Sequence, residues 1–148
     1  ALPHLEAGLQ KNGRSRADIS VNTAVFAIPT DDPDYAQWAE NHVKQQISFY
    51  LSTPAYRVLA ELHGWEDTAV QLSQIARDGQ WNKMPTLIND NILDVMAVRG
   101  TWADLPQIIH TKYGILLDRV SYYLPFAPGE NEAGWRATVA GFKQLGKM

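Results

Sequence analysis

The residues able to do chemistry fall into a few groups. Phe49, Tyr50 and Tyr56 flank the break Ser52-Thr53-Pro54. Aromatic rings at a helix interruption can face a ring-shaped ligand, although rings between helices more often fill a core. Arg99 precedes Gly100. A cation there can meet an anionic substrate, or sit at the negative end of the preceding helix, which is the commoner role. His4, His42, His63 and His110 never recur three or four residues apart, so no helix presents a two-histidine metal clamp. His42 reads as a boundary histidine on an apolar stripe, His63 beside Gly64 as a helix C-terminal dipole partner, and His110 as the border of an inward stripe.

Other constellations are accounted for without a ligand. Asp31, Asp32 and Asp34 lie at a helix start, where the dipole favours carboxylates. Asn89-Asp90-Asn91 lacks the glycine and distal glutamate of a calcium loop. No metal is expected. GxGxxG, GxxxxGK[ST] and GxSxG are all missing from the sequence, so Rossmann dinucleotide binding, P-loop phosphate transfer and a serine nucleophile elbow have no support. Zero cysteines remove thiol catalysis, thiolate metal sites and disulfides together.

The elements that must position these residues follow from periodicity and punctuation. Leu2, Leu5 and Leu9 recur at helical spacing, with Asn12-Gly13 as the stop. Residues 19–28 read as a strand that is apolar on both faces toward its C-terminal end, as buried parallel strands are, and Pro29 ends it. Asp32-Pro33 starts a helix carrying Tyr35, Trp38, Ala39, His42, Val43, Ile47 and Tyr50. Thr53-Pro54 caps a shorter helix that His63-Gly64 stops, and residues 65–77 form another, closed by Asp78-Gly79. A fourth helix is predicted over residues 84–96, begun at Pro85, with Leu87, Ile88, Ile92 and Val95 inward. After the stop at Gly100, Thr101 and Asp104 form a weak capping box. Pro106 places the regular helix near Leu105, with Ile108, Ile109 and Leu116 on its inward face. Residues 119–124 read as the second strand, and Trp135, Thr138, Val139, Phe142 and Leu145 as a terminal amphipathic helix.

The expected fold class is therefore α/β and helix-dominated, with two parallel strands at about 19–28 and 119–124. Residues 33–96 make a helical excursion between them, within a single segment spanning residues 1–148. With 148 residues, of which 45% are hydrophobic, the chain can bury one ordinary core. A net charge of −3 with scattered lysines and arginines argues against nucleic acid as a partner. No run approaches the roughly 20 apolar residues that span a bilayer, and no apolar signal region opens the chain, so a cytoplasmic protein without a membrane partner is expected. Two parallel strands alone leave bare edges of unpaired backbone. The missing strands are expected from another chain, giving a homo-oligomer, or from the earlier part of a larger barrel. A start within a helix and without Met favours the barrel.

The order of a strand ending AVFAIPTDD, helices carrying FYLSTPAYRVLAELHGW, then AVRGTWADLPQII and DRVSYYLPF resembles the last third of the luciferase-like monooxygenase superfamily. It is most similar to the deazaflavin branch that uses coenzyme F420. The resemblance runs from Leu2 to about Leu145 and is most specific at Ser52 to Trp65 and at Gly100-Thr101. It implies the C-terminal portion of a TIM-type (β/α)8 barrel, with the two strands as its seventh and eighth. It also implies hydride transfer to or from a small organic substrate with F420, or alternatively FMN, bound at the C-terminal ends of the strands. No cofactor ligand carries over onto a numbered residue, because the family's cofactor loops belong to earlier strands. The isolated chain is accordingly expected to be inactive, and Phe49, Tyr50, Tyr56 and Arg99 are the candidate substrate-pocket residues. The competing expectation is a non-catalytic helical interaction module whose sheet a partner chain completes.

Overall fold

The computed structural model describes residues 2–145. Seven α-helices and three strands occur among them: α1 (Leu2–Lys11), β1 (Asn22–Pro29), α2 (Pro33–Ser52), α3 (Arg57–His63), α4 (Glu66–Arg77), α5 (Asp90–Met96), β2 (Ala97–Gly100), α6 (Leu105–Tyr113), β3 (Arg119–Tyr122) and α7 (Glu132–Leu145). The sheet is parallel, in the order β2-β1-β3. The two strands read from the sequence pair directly, with Asn22 opposite Arg119 and Val25 opposite Tyr122. Both are shorter than their sequence patterns, beginning at Asn22 and ending at Tyr122.

Strand β2 is the element that periodicity did not show. Four residues are too few to display alternation, and α5 runs straight into them, with Ala97 already extended at φ −120° and ψ 174°. The expected helix over residues 84–96 is likewise two pieces. Pro85 lies inside a 3-10 segment, Trp81–Leu87, and the true α-helical start is Asn89, whose side chain accepts from the Ile92 amide at 3.0 Å. Val95, expected inward, is exposed. The added strand also changes the count that the resemblance implied, since β2 stands between the two strands taken as seventh and eighth.

The chain divides into two compact units, one made of the segments up to Val25 and from Gly100 onward, the other of Phe26–Arg99. In the first, α7 closes on the lead-in to α6 through a small-residue face. A Cβ on Gly134 would stand 2.5 Å from the Trp102 ring, and one on Gly141 would stand 2.7 Å from Pro106 Cγ. Thr138, one turn from each, is buried and donates to the Trp102 carbonyl at 2.9 Å. The start of β3 is tied to the strand before it by Asp118, which accepts from the Val21 amide and the Arg16 guanidinium, both at 2.7 Å. Regular helix begins at Leu105, as Pro106 requires, and Thr101 and Asp104 bond each other at 2.7 and 3.1 Å.

In the second unit α2 is the long strut. Asp32 caps it by accepting from the Asp34 and Tyr35 amides, with Pro33 at its first position. Ala39, Val43, Ile47 and Leu51 recur along its buried face. Gly64 ends α3 at φ 72°, a left-handed conformation that costs glycine nothing, and so turns the chain at once into α4. The C-terminal half of β1 is buried on both faces, as its sequence implied: Ala27, Ile28 and Pro29 are inaccessible or nearly so.

Candidate functional site

The concave surface of the second unit is a cleft of about 820 Å³ where the end of α2, the turn at Ser52-Thr53-Pro54, α3, α4 and Trp81 meet. The local sequence makes the opening. Pro54 has no amide proton and cannot continue α2, so the Ser52 and Thr53 hydroxyls bond back to the Phe49 carbonyl, at 2.7 and 3.0 Å, and the chain leaves the helix. Thr53 therefore finishes α2 and does not cap the following 3-10 turn with its side chain, correcting the sequence expectation. Ser73 on α4 donates to the Ser52 carbonyl at 2.7 Å and fixes α4 against this break.

Of the candidate residues, the structure brings three together. Phe49 and Tyr50 lie 5.8 Å apart between ring centroids, and Tyr50 and Tyr56 lie 4.9 Å apart. Only Phe49 of the three lines the cleft, half exposed, with Trp81 half exposed 6.3 Å away. Tyr50 turns toward Phe26, at 6.3 Å, and the Tyr56 ring is tilted against it at 59°.

Arg99 is apart from this cluster. Its guanidinium faces Glu40 and Asp90 at 3.7 Å and Asp94 at 3.9 Å, while Glu40 also takes Lys44 at 2.7 Å. The cation is committed to carboxylates on α2 and α5. Arg99, so paired, offers no free donor fork to the phosphate of a flavin or deazaflavin, and no step is routed through one here.

Sequence reasoning missed Trp81, Arg57 and Arg77, which line the cleft with Phe49. A signal was present for Trp81, an aromatic two residues after the stop at Gly79 with no place in a helical stripe. Arg57 and Arg77 had none, because ends of short helices carry arginine for many reasons. His42 stacks on Trp38 at 5.5 Å and His63 on Trp65 at 4.5 Å. No group of three or more metal-ligating side chains occurs among the described residues.

The first unit holds a second aromatic assembly, with Trp102 and Trp135 centred 4.8 Å apart and Tyr122 5.8 Å from Trp135. The Tyr122 hydroxyl is buried without a hydrogen-bond partner. Burial pushes its pKa up to about 12.

Compared with known proteins, the chain matches the luciferase-like monooxygenase family over residues 1–119. It is 36% identical over 145 residues to uncharacterized proteins of Mycobacterium tuberculosis and Mycobacterium bovis. The alignment covers 97% of this chain and 42% of each relative, so the chain spans less than half the length of the curated relatives it matches. No solved structure matches it significantly.

Proposed function

The chain belongs to the luciferase-like monooxygenase family, and from that premise we propose that it is the C-terminal part of an F420-dependent oxidoreductase, with FMN the alternative cofactor. The whole protein, a TIM-type (β/α)8 barrel, moves a hydride to or from a small organic substrate. The observation that carries this reading is the family match over residues 1–119 on a helix-dominated α/β fold with a parallel sheet. The hydride chemistry belongs to the cofactor, and the protein supplies pocket and orientation. In this reading the remaining strands, on loops outside this chain, hold the cofactor, and the chain alone is inactive. Phe49 contributes to the substrate side, with Tyr50 and Tyr56 behind it, and Arg99 organises the carboxylates around it.

The partner of this chain is the rest of the barrel or a second copy of the chain. Val58 and Leu62, one turn apart on α3, are each about three-quarters exposed, and such a pair suits a covering partner. The protein works in the cytoplasm, without nucleic acid or membrane partners, and no described helix is long and apolar enough to cross a membrane. The same exposed pair, together with the commitment of Arg99, favours the second reading, a non-catalytic helical module completed by a partner chain.

The test is to identify what the longer protein carries when purified from a host that makes both cofactors. A deazaflavin released on denaturation, in stoichiometric amount, is the expected result. Release of FMN moves the assignment to the alternative, and release of neither from a folded protein that also binds neither when they are added overturns the enzyme reading.

A further inference from the structure

The cleft of the second unit is lined by two arginines and two glutamates. Glu61 and Glu66 line it beside the Gly64 turn that joins α3 to α4. Arg57, the first residue of α3, and Arg77, the last of α4, line it too. Along α4, Glu66 and Arg77 are about 16 Å apart. Arg77 lies one turn beyond Ser73, which bonds Ser52, and Trp81 follows Arg77 by four residues. Arg77 and Trp81 are therefore at the far end of α4 from Glu66, whereas Glu61 stands one turn from Arg57 on α3.

The arginines are also available. Arg57 makes no ion pair among the described residues, and Arg77 donates to the neutral Gln74 side-chain oxygen at 2.8 Å. A guanidinium offers a planar fork of donors that matches a carboxylate. Phe49 and Trp81, both half exposed, offer ring faces. The volume, about 820 Å³, lies within the roughly 300–1,000 Å³ of small-molecule pockets.

We propose that this cleft binds a planar aromatic carboxylate, with its ring against Trp81 and Phe49 and its carboxylate toward Arg57 and Arg77. The proposal deepens the oxidoreductase reading by naming the substrate class. Its test contains no cofactor and no turnover, so binding can fail while that reading stands, and the reverse.

The probe is 2-naphthoate, titrated into the nitrogen-15-labelled chain and followed at the tryptophan indole N–H signals. Trp81→Phe assigns the signal of Trp81, and the other four indoles report on folding. The expected result is a saturable shift of the Trp81 signal, with neutral 2-naphthalenemethanol binding about tenfold more weakly. The double variant Arg57→Gln/Arg77→Gln should lose about tenfold or more in naphthoate affinity, the fold-change of a lost charge-assisted hydrogen bond. Its affinity for the alcohol should not change, and Glu61→Gln/Glu66→Gln should bind naphthoate no more weakly than the parent. Absence of a saturable shift, equal binding of acid and alcohol, or naphthoate affinity unchanged by loss of both arginines would each overturn the proposal. FMN displacing naphthoate with the higher affinity would overturn the substrate assignment in favour of a cofactor subsite.

Discussion

Thr138 donates its hydroxyl hydrogen to the carbonyl of Trp102 at 2.9 Å, and both residues are more than nine-tenths buried. The bond sits between the close approaches of Gly134 to Trp102 and Gly141 to Pro106, so this face of α7 combines a polar tie with two glycines that let it come close. Thr138→Val keeps the shape and leaves the carbonyl buried without its donor, which costs about 1–3 kcal/mol. Thr138→Ser should retain most of the stability. Gly134→Ala should cost about 1–3 kcal/mol by overpacking against the indole. Urea melts of the three variants decide this; a Val variant as stable as the parent would remove the bond from the account.

The Tyr122 hydroxyl makes the opposite prediction. It is buried and unpartnered, so Tyr122→Phe removes a desolvated polar atom and should leave stability unchanged or slightly raised. Its raised pKa gives a second readout. The neutral phenol is favoured in the folded chain, so this contribution is fully present below pH 10 and is lost as pH rises toward about 12. Ultraviolet titration of the tyrosines should show a late step that Tyr122→Phe abolishes.

Asp118 sets an acid limit. The Val21 amide and then the Arg16 guanidinium hold its carboxyl below the ordinary carboxylate value of 3.8. Its folded pKa is depressed, so the stabilisation is complete above that ordinary value and is lost as pH falls through the folded one. Asp118→Asn should flatten the pH dependence of stability below about pH 4 and leave its slope near neutrality unchanged. A variant with the parent's acid profile would contradict the assignment.

Arg99 distinguishes a structural cation from a substrate cation. With three carboxylates at 3.7–3.9 Å and more than a third of its side chain exposed, Arg99→Gln should cost no more than about 1 kcal/mol, and less at high salt. Binding of naphthoate to the cleft should not change. A loss of ligand affinity without a loss of stability would return Arg99 to the substrate side.

What the sequence disclosed follows from which physical signals are local. Asp32-Pro33, Gly64 and the Pro106 restriction act within a few residues, and the helix boundaries they imply are where the structure has them. The pairing of β1 with β3 was legible because both runs are β-branched and aromatic, and a long crossover requires parallel strands. Strand β2 was hidden because four residues have no period, and Pro85 misled because proline is tolerated in a 3-10 segment as well as in the first turn of a helix. The candidate site was half legible. Phe49 stands beside a break that proline announces, whereas Arg57, Arg77 and Trp81 come to it only through the packing of α3 and α4, which no short-range pattern encodes.

The most direct measurement for the whole account is a pair of F420 titrations followed by deazaflavin fluorescence, one on the longer protein and one on this chain. The account predicts saturable binding by the longer protein and none by the chain, whose strand end commits Arg99 to carboxylates. Failure of the folded longer protein to bind F420 or FMN would contradict it, and the search would turn to the partner that completes the sheet.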